Sequence, residues 1–185
     1  MISVKDVVLL AAEFVGVKEK VDDYLSGVMD EEHQRLVDGF VCCYNVVENE
    51  LAVDYLPLVK EEQMTAKDGK IAYADLSQKA AYIIGVFDEY GNSVAHKRMA
   101  SYLAVGTGKY LVRYAALPVK KAFADCSEYS VGVSERMLAY GVAAEYCLHK
   151  GLSAESAAWE KKYKKAVAET FRAKELKTIK AGYWV

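Results

Sequence analysis

Apolar residues recur at helical spacing at both ends of this chain, and between Leu58 and Pro118 the spacing changes to short alternating runs rich in Val, Ile and Tyr. A period of 3.6 buries one stripe of a helix, whereas a period of 2 buries one face of a strand. The order helix, strand, helix therefore bounds the fold before any residue is assigned a role. The expectation is an α+β protein, mainly a helical bundle with an inserted small antiparallel β domain. It divides into N-terminal helices (1–57), a β region (58–118), a C-terminal helical hairpin completing the bundle (119–175) and an extended tail (176–185).

The helical boundaries follow from local signals. Ser3, three residues before Asp6, starts a helix whose Val7, Leu10, Ala11 and Phe14 share a face and which is expected to run to about Val17. After Ser26-Gly27, Asp30 can cap a long helix with Leu36, Phe40, Cys43, Val47 and Leu51 on one stripe, ending before Pro57. Helices resume at Ser134, with Met137, Tyr140, Ala144, Cys147 and Leu148 as the apolar stripe and Gly141 and Ala144 allowing close approach of another helix. Gly151 stops that helix and Ser153 caps the next, which places Trp159, Tyr163, Val167 and Thr170 on one face. So short a link makes the two helices antiparallel neighbours.

In the middle, Lys67-Asp68-Gly69 and Tyr90-Gly91-Asn92 are turn signals. Five strands are expected: Val59–Met64, Lys70–Tyr73, Ala81–Asp88, Ala95–Leu103 and Lys109–Ala115. Gly106-Thr107-Gly108 is read as closing the last hairpin, since no Gly-Lys-Ser/Thr follows it to make a phosphate loop.

With 185 residues, 53% of them hydrophobic, a core needs no staples, and just 2 prolines leave room for long helices. Adjacent Cys42 and Cys43, with Cys126 and Cys147, do not suggest a disulfide framework. The run Val7–Ala12 is flanked by Asp6 and Glu13, so it reads as a core helix rather than a leader. No apolar run nears the roughly 20 residues that span a bilayer. The expectation is a protein of a reducing cytoplasm, with no membrane partner.

Charge is uneven along the chain. Residues 1–60 carry a net −7, residues 61–125 a net +2 and residues 126–185 a net +3, for a total of −2. Lys161–Lys180 alone holds 8 basic and 2 acidic residues, a patch suited to an acidic partner, a phosphate backbone or solvent. The acidic total argues against a general nucleic-acid coat.

Catalytic signatures do not assemble. His33, His96 and His149 are scattered over different elements, and Cys147 and His149 point to different helix faces. There is no Gly-x-Ser-x-Gly elbow or Cys/His signature. Asp30-Glu31-Glu32 suits a helix start, and Asp22-Asp23 and Glu48/Glu50 read as solvated carboxylates. The expectation is no enzyme, no cofactor and no metal site.

One stretch carries more. Ser134-Glu135-Arg136-Met137-Leu138-Ala139-Tyr140-Gly141-Val142-Ala143-Ala144-Glu145-Tyr146-Cys147, then Gly151, then Ala158-Trp159-Glu160-Lys161-Lys162-Tyr163-Lys164, resembles tailed-phage head–tail adaptor proteins of the tail tubular protein A group. Their C-terminal helices often read S-E-R-x-L-A-Y-G-x-A-A-E-Y, a gap, then W-x-x-x-Y. The likeness is strong over 134–165 and weaker over the whole chain, through the shared order of N-terminal helices, inserted β region and closing hairpin. The ending departs from the pattern: Lys177-Thr178-Ile179-Lys180 before Tyr183-Trp184-Val185 stands where such chains often carry Arg.

The resemblance implies a structural virion protein of the neck, assembled in the bacterial host cytoplasm. Its copies, usually twelve, would form a ring under the portal, receive a tail or stopper protein and let DNA pass without sequence-specific binding. The isolated subunit can remain monomeric until a portal templates the ring. Expected portal contacts are Lys161, Lys162, Lys164, Lys165, Lys174, Lys177, Lys180, Tyr183 and Trp184, because cations beside aromatic anchors are a common interface composition. Expected contacts to a neighbouring subunit or the tail are Tyr82, Phe87, Tyr90 and Asn92, on a strand edge open to pairing and its turn. Tyr140, Gly141, Ala144 and Trp159 are expected in the core. Two alternatives are a tail-completion protein, which differs in partner, and a small DNA-binding module.

Overall fold

The computed structural model describes residues 1–28 and 30–175, with side chains as far as Thr170. It is a mixed α and β protein with small antiparallel sheets. The chain forms two compact units, one from Met1–Glu48 and Lys120 onward, the other from Asn49–Val119.

In the first unit, α1 (Val4–Phe14) begins at Ser3, whose Oγ accepts the Asp6 N–H at 3.4 Å. It stops three residues earlier than the apolar pattern suggests. Gly16, at φ +75°, closes a Schellman turn in which the Val17 N–H donates to Ala12 O (2.9 Å) and the Gly16 N–H to Glu13 O (3.2 Å). A separate helix that the pattern does not reveal follows: α2 (Lys18–Leu25) buries Val21 alone, so it shows no apolar stripe. The long helix α3 (Glu31–Glu50) is capped as expected, the His33 N–H donating to Asp30 Oδ1 at 2.9 Å. It runs on into a π-helical turn, Leu51–Tyr55, and so ends before Pro57.

The last two helices are α4 (Glu135–His149) and α5 (Ser153–Glu175). Ser134 Oγ caps α4 by accepting the Met137 N–H at 3.2 Å. The first bond of α5 is accepted by Leu152 O from Ser156 N, so Leu152 and not Ser153 holds the cap position. α4 packs on α5 and on α1, and is buried at nine positions from Met137 to Cys147. Leu148, expected in its apolar stripe, is 58% exposed.

Gly141 explains the close packing. A Cβ there would lie 2.7 Å from Val47 Cγ1 and 3.2 Å from Tyr163 Cδ2, so α3 and α5 both reach the α4 backbone at this residue. Phe40 of α3 stacks on Tyr146 of α4 at 4.1 Å between ring centres, one turn and a half further along.

The second unit holds β1 (Leu58–Ala66), β2 (Lys70–Ala72), β3 (Ala80–Phe87), β4 (Lys97–Arg98), β5 (Tyr102–Ala104) and β6 (Gly108–Ala116). One antiparallel sheet has the order β1-β6-β3 and the other β2-β5-β4. Two expectations change here. The single strand over Ala95–Leu103 is a tight hairpin, with Lys97 opposite Ala104 and Arg98 opposite Leu103. Gly106-Thr107-Gly108 does not close a hairpin, because β5 and β6 belong to different sheets. Both sheets feed one apolar cluster, including Ile71, Ile83, Val86, Leu103, Val112 and Tyr114.

Candidate functional site

The expected basic face lies on α5, where Lys161, Lys162, Lys164 and Lys165 are all exposed. It is less cationic than its sequence. Lys164 pairs with Glu160, and Lys165 Nζ lies 3.9 Å from Glu169 Oε1, each one helical turn away. Lys162 folds back over the Trp159 ring at 3.8 Å from its centre. The Lys174 side chain, and Lys177, Lys180, Tyr183 and Trp184 with the expected extended tail, lie outside the described residues.

Beneath Lys162 is an aromatic cluster. Trp159 stacks on Phe14 at 4.9 Å, Phe14 on Tyr140 at 5.2 Å, and Tyr140 lies 5.8 Å from Trp159. Arg136 adds a second cation 5.5 Å above Tyr140, and its Nε donates to the Tyr140 hydroxyl at 2.6 Å. Gly141 and Ala144 are buried as expected, but Tyr140 and Trp159 are half-buried. These two belong to a surface where α1, α4 and α5 meet under a rim of cations. Phe14 and Arg136 have no functional signal in the sequence; the (i, i+4) spacing of Arg136 and Tyr140 is the one available clue.

In the β unit, Tyr82 and Tyr90 are exposed, Tyr90 at 81%, while Phe87 is half-buried. Arg113 lies 4.8 Å over the Phe87 ring and pairs with Glu61 at 2.6 Å, so Phe87 is part of a braced sheet face. Asn92 is occupied within its turn: its N–H donates to Asp88 Oδ1 at 2.8 Å and its Nδ2 to Oδ2 at 3.1 Å. These bonds hold the Asp88 carboxyl below its usual range. β3 is an edge strand, as expected, but its register on β6 slips between Ala80 and Tyr82 and again between Ile83 and Gly85. Such bulges blunt an edge for strand addition. A cleft of about 570 Å³ lies between β1, β6 and the turn after β3, lined by Gln63, Thr65, Glu89, Lys109 and Tyr110 among others.

The main correction concerns Glu48, read as solvated and found fully buried at 0% exposure. Its Oε1 accepts from Ser127 Oγ (2.7 Å), Tyr44 OH (3.1 Å) and the Glu128 N–H (3.2 Å). Burial, ahead of the Glu48 charge, pushes the Tyr44 hydroxyl pKa up. One turn before it, Asn45 donates to Lys121 O at 3.0 Å and accepts the Lys121 N–H at 2.6 Å. The irregular segment before α4 is thus strapped to α3 by two side chains, and to the N-terminus by Val4 N to Asp125 O (3.0 Å) and Ser127 N to Ile2 O (2.8 Å). The missed signal is period: Tyr44, Val47, Glu48 and Leu51 share one helix stripe, so Glu48 belongs to the buried side.

Among the described residues no group of three or more His, Cys, Asp or Glu side chains is placed to hold a metal ion, and no helix is long and apolar enough to cross a membrane. Burial pushes the Cys43 thiol up to about 12 and also raises Cys147, away from the thiolate a nucleophile needs. No family profile matches the sequence, and no curated protein matches it either.

Proposed function

We propose that this chain is a structural virion protein, the head–tail adaptor subunit that forms a ring under the portal and joins the DNA-filled capsid to the tail. The observation that carries the reading is the use the fold makes of the motif in 134–163. Ser134 caps α4, Gly141 admits Val47 and Tyr163, Tyr163 turns inward from α5, and Trp159 stacks on Phe14 beside Tyr140, so the stretch works as one interlocked hairpin. The element order supports it too: helices, a β region, then two closing helices. A ring subunit needs rigid helices to set beside its neighbours and loops for partners above and below, and it needs no catalytic centre.

In this reading the portal meets the α5 face of Lys161, Lys162, Lys164 and Lys165 together with Lys174, Lys177, Lys180, Tyr183 and Trp184. The next subunit or the tail meets Tyr82, Phe87, Tyr90 and Asn92. DNA passes through the ring without sequence-specific contacts, and the assembled protein resides in the virion neck.

Electron microscopy of the purified protein mixed with its cognate portal tests this. A second ring stacked on the portal is expected. Bare portals beside free protein would refute it and direct attention to a tail-end partner or to DNA, the latter through a salt-sensitive mobility shift. Replacing Tyr183 and Trp184 by alanine is expected to abolish docking while leaving the circular dichroism of the protein unchanged; unchanged docking removes those two residues from the contact.

A further inference from the structure

Two exposed cations stand over one aromatic surface. Phe14, Tyr140 and Trp159 lie nearly parallel, Phe14 at 13° to Trp159 and 25° to Tyr140, and all three are half-buried. Lys162 Nζ is 3.8 Å from the centre of the Trp159 ring and 5.8 Å from that of Tyr140, and Arg136 covers Tyr140 from α4. Their neighbours Lys164 and Lys165 are answered by Glu160 and Glu169. Among the described residues neither Arg136 nor Lys162 has an acidic partner; what they touch is the rings and the Tyr140 hydroxyl.

The chain carries a surface of the opposite character. From Lys18 to Glu32 it has six acidic residues and two basic ones, and both lysines are engaged, Lys18 by Glu13 and Lys20 by Glu32. α2 exposes Glu19 and Asp22, neither of them in a salt bridge among the described residues, and Leu25, which follows Asp22 at (i, i+3), is 39% exposed. Val21 is the one residue that α2 buries, so the helix is open along most of its circumference. A short polar helix held by so little of its own fold suits a place between two chains.

We propose that the aromatic surface is the docking site for a second copy of this chain, which brings the outer face of α2: Glu19 and Asp22 meet Arg136 and Lys162, and Leu25 covers the exposed edges of Tyr140 and Trp159. Charge selects this pairing. Aromatic surface against aromatic surface would oppose cation to cation, and α2 against α2 would oppose carboxylate to carboxylate. Because the two patches are different, the contact repeats from copy to copy, as a ring requires. The inference rests on the ring reading above and gives that ring a contact between subunits, with Lys161, Lys164 and Lys165 left to the portal. Exposed ion pairs are individually weak, so the free chain associates weakly and in a salt-dependent way.

Sedimentation equilibrium of the full chain between about 0.01 and 1 mM, at about 0.05 M and about 0.5 M salt, tests this. Reversible self-association is expected, about tenfold weaker at the higher salt. Lys162→Glu and Asp22→Lys should each weaken it about tenfold with circular dichroism unchanged, whereas Lys5→Glu, an equal charge change on α1, should leave it as it was. Glu19→Lys serves in place of Asp22→Lys should the latter disturb α2. Each variant keeps the half that the other has lost, so an equimolar mixture of the two should associate again. A chain that stays monomeric at low salt, an equal loss in Lys5→Glu, or a mixture that stays apart overturns the contact. The portal separates this from the ring reading. Rings that form there as readily from Lys162→Glu protein as from the parent overturn the contact alone, and a parent that self-associates as expected yet leaves portals bare overturns the ring reading alone.

Discussion

The helical unit and the β unit reach stability by different routes. The β unit buries one apolar cluster between two small sheets, and its main polar participant, Glu62, is half-buried and answered by Ser77 and Tyr114. The helical unit combines a helix, α4, buried at nine of its fifteen positions with a fully buried carboxyl group that ties down an irregular segment. An apolar cluster tolerates exchange of similar volumes, whereas a buried, hydrogen-bonded carboxyl group and a glycine contact admit few substitutes. The helical unit should therefore be the more brittle of the two.

The largest effect is expected at Glu48. Glu48→Ala leaves the Ser127 hydroxyl, the Tyr44 hydroxyl and the Glu128 N–H without their acceptor inside the unit, a loss of about 3 kcal/mol or more. Chemical denaturation followed by far-UV circular dichroism would measure it. A comparison substitution in the β cluster, Val86→Ala, removes apolar volume without stranding a polar group. If the two cost the same, the contrast between the units fails.

Next is Gly141, where an added methyl meets Val47 at 2.7 Å. Gly141→Ala is expected to destabilise by about 1–2 kcal/mol, because overpacking outweighs the roughly 1 kcal/mol that alanine gains over glycine inside a helix. Val47→Ala in the same chain should relieve part of this, so the pair is less damaging than the sum of its members. Gly39 in α3 sharpens the point: a Cβ there has no heavy neighbour within 4 Å, so Gly39→Ala should raise stability by about 0.5–1 kcal/mol. Two glycines, both within helices, are thus expected to respond with opposite signs.

Much of the fold is legible in the sequence because it rests on local rules. Ser3, Asp30 and Ser134 cap the helices they precede, and the Val47, Tyr163 and Val167 stripes are buried as periodicity requires. The failures have a common origin in tertiary context. α2 has a single buried side chain, so no apolar period betrays it. The hairpin at Lys97–Ala104 has two- and three-residue strands, too short for alternation to be seen. Glu48 looks solvated because a carboxylate usually is, and its three donors come partly from a segment about eighty residues away. The surface formed by Phe14, Tyr140 and Trp159 is likewise assembled from three helices, so no single window of sequence contains it.

The smallest expected effect tests the polar element of the β unit. Burial works against the Glu62 charge, but hydrogen bonds from the Ser77 hydroxyl, the Tyr114 hydroxyl and the Ser77 N–H outweigh it and leave the carboxyl below its ordinary value. A carboxyl depressed in the folded state adds stability that is present above its unfolded pKa and is lost as the pH falls through its folded pKa. Glu62→Gln has no such proton to gain. The variant should therefore be less stable than the parent near neutrality by about 0.5–1 kcal/mol, the size suited to a half-exposed charge, and the gap should close as the pH falls below the carboxylate range. Denaturation midpoints of both proteins over a pH series measure that gap. A gap that stayed constant into acid would mean that Glu62 acts through shape and hydrogen-bond geometry rather than charge, and the β unit would then stand on its apolar cluster alone.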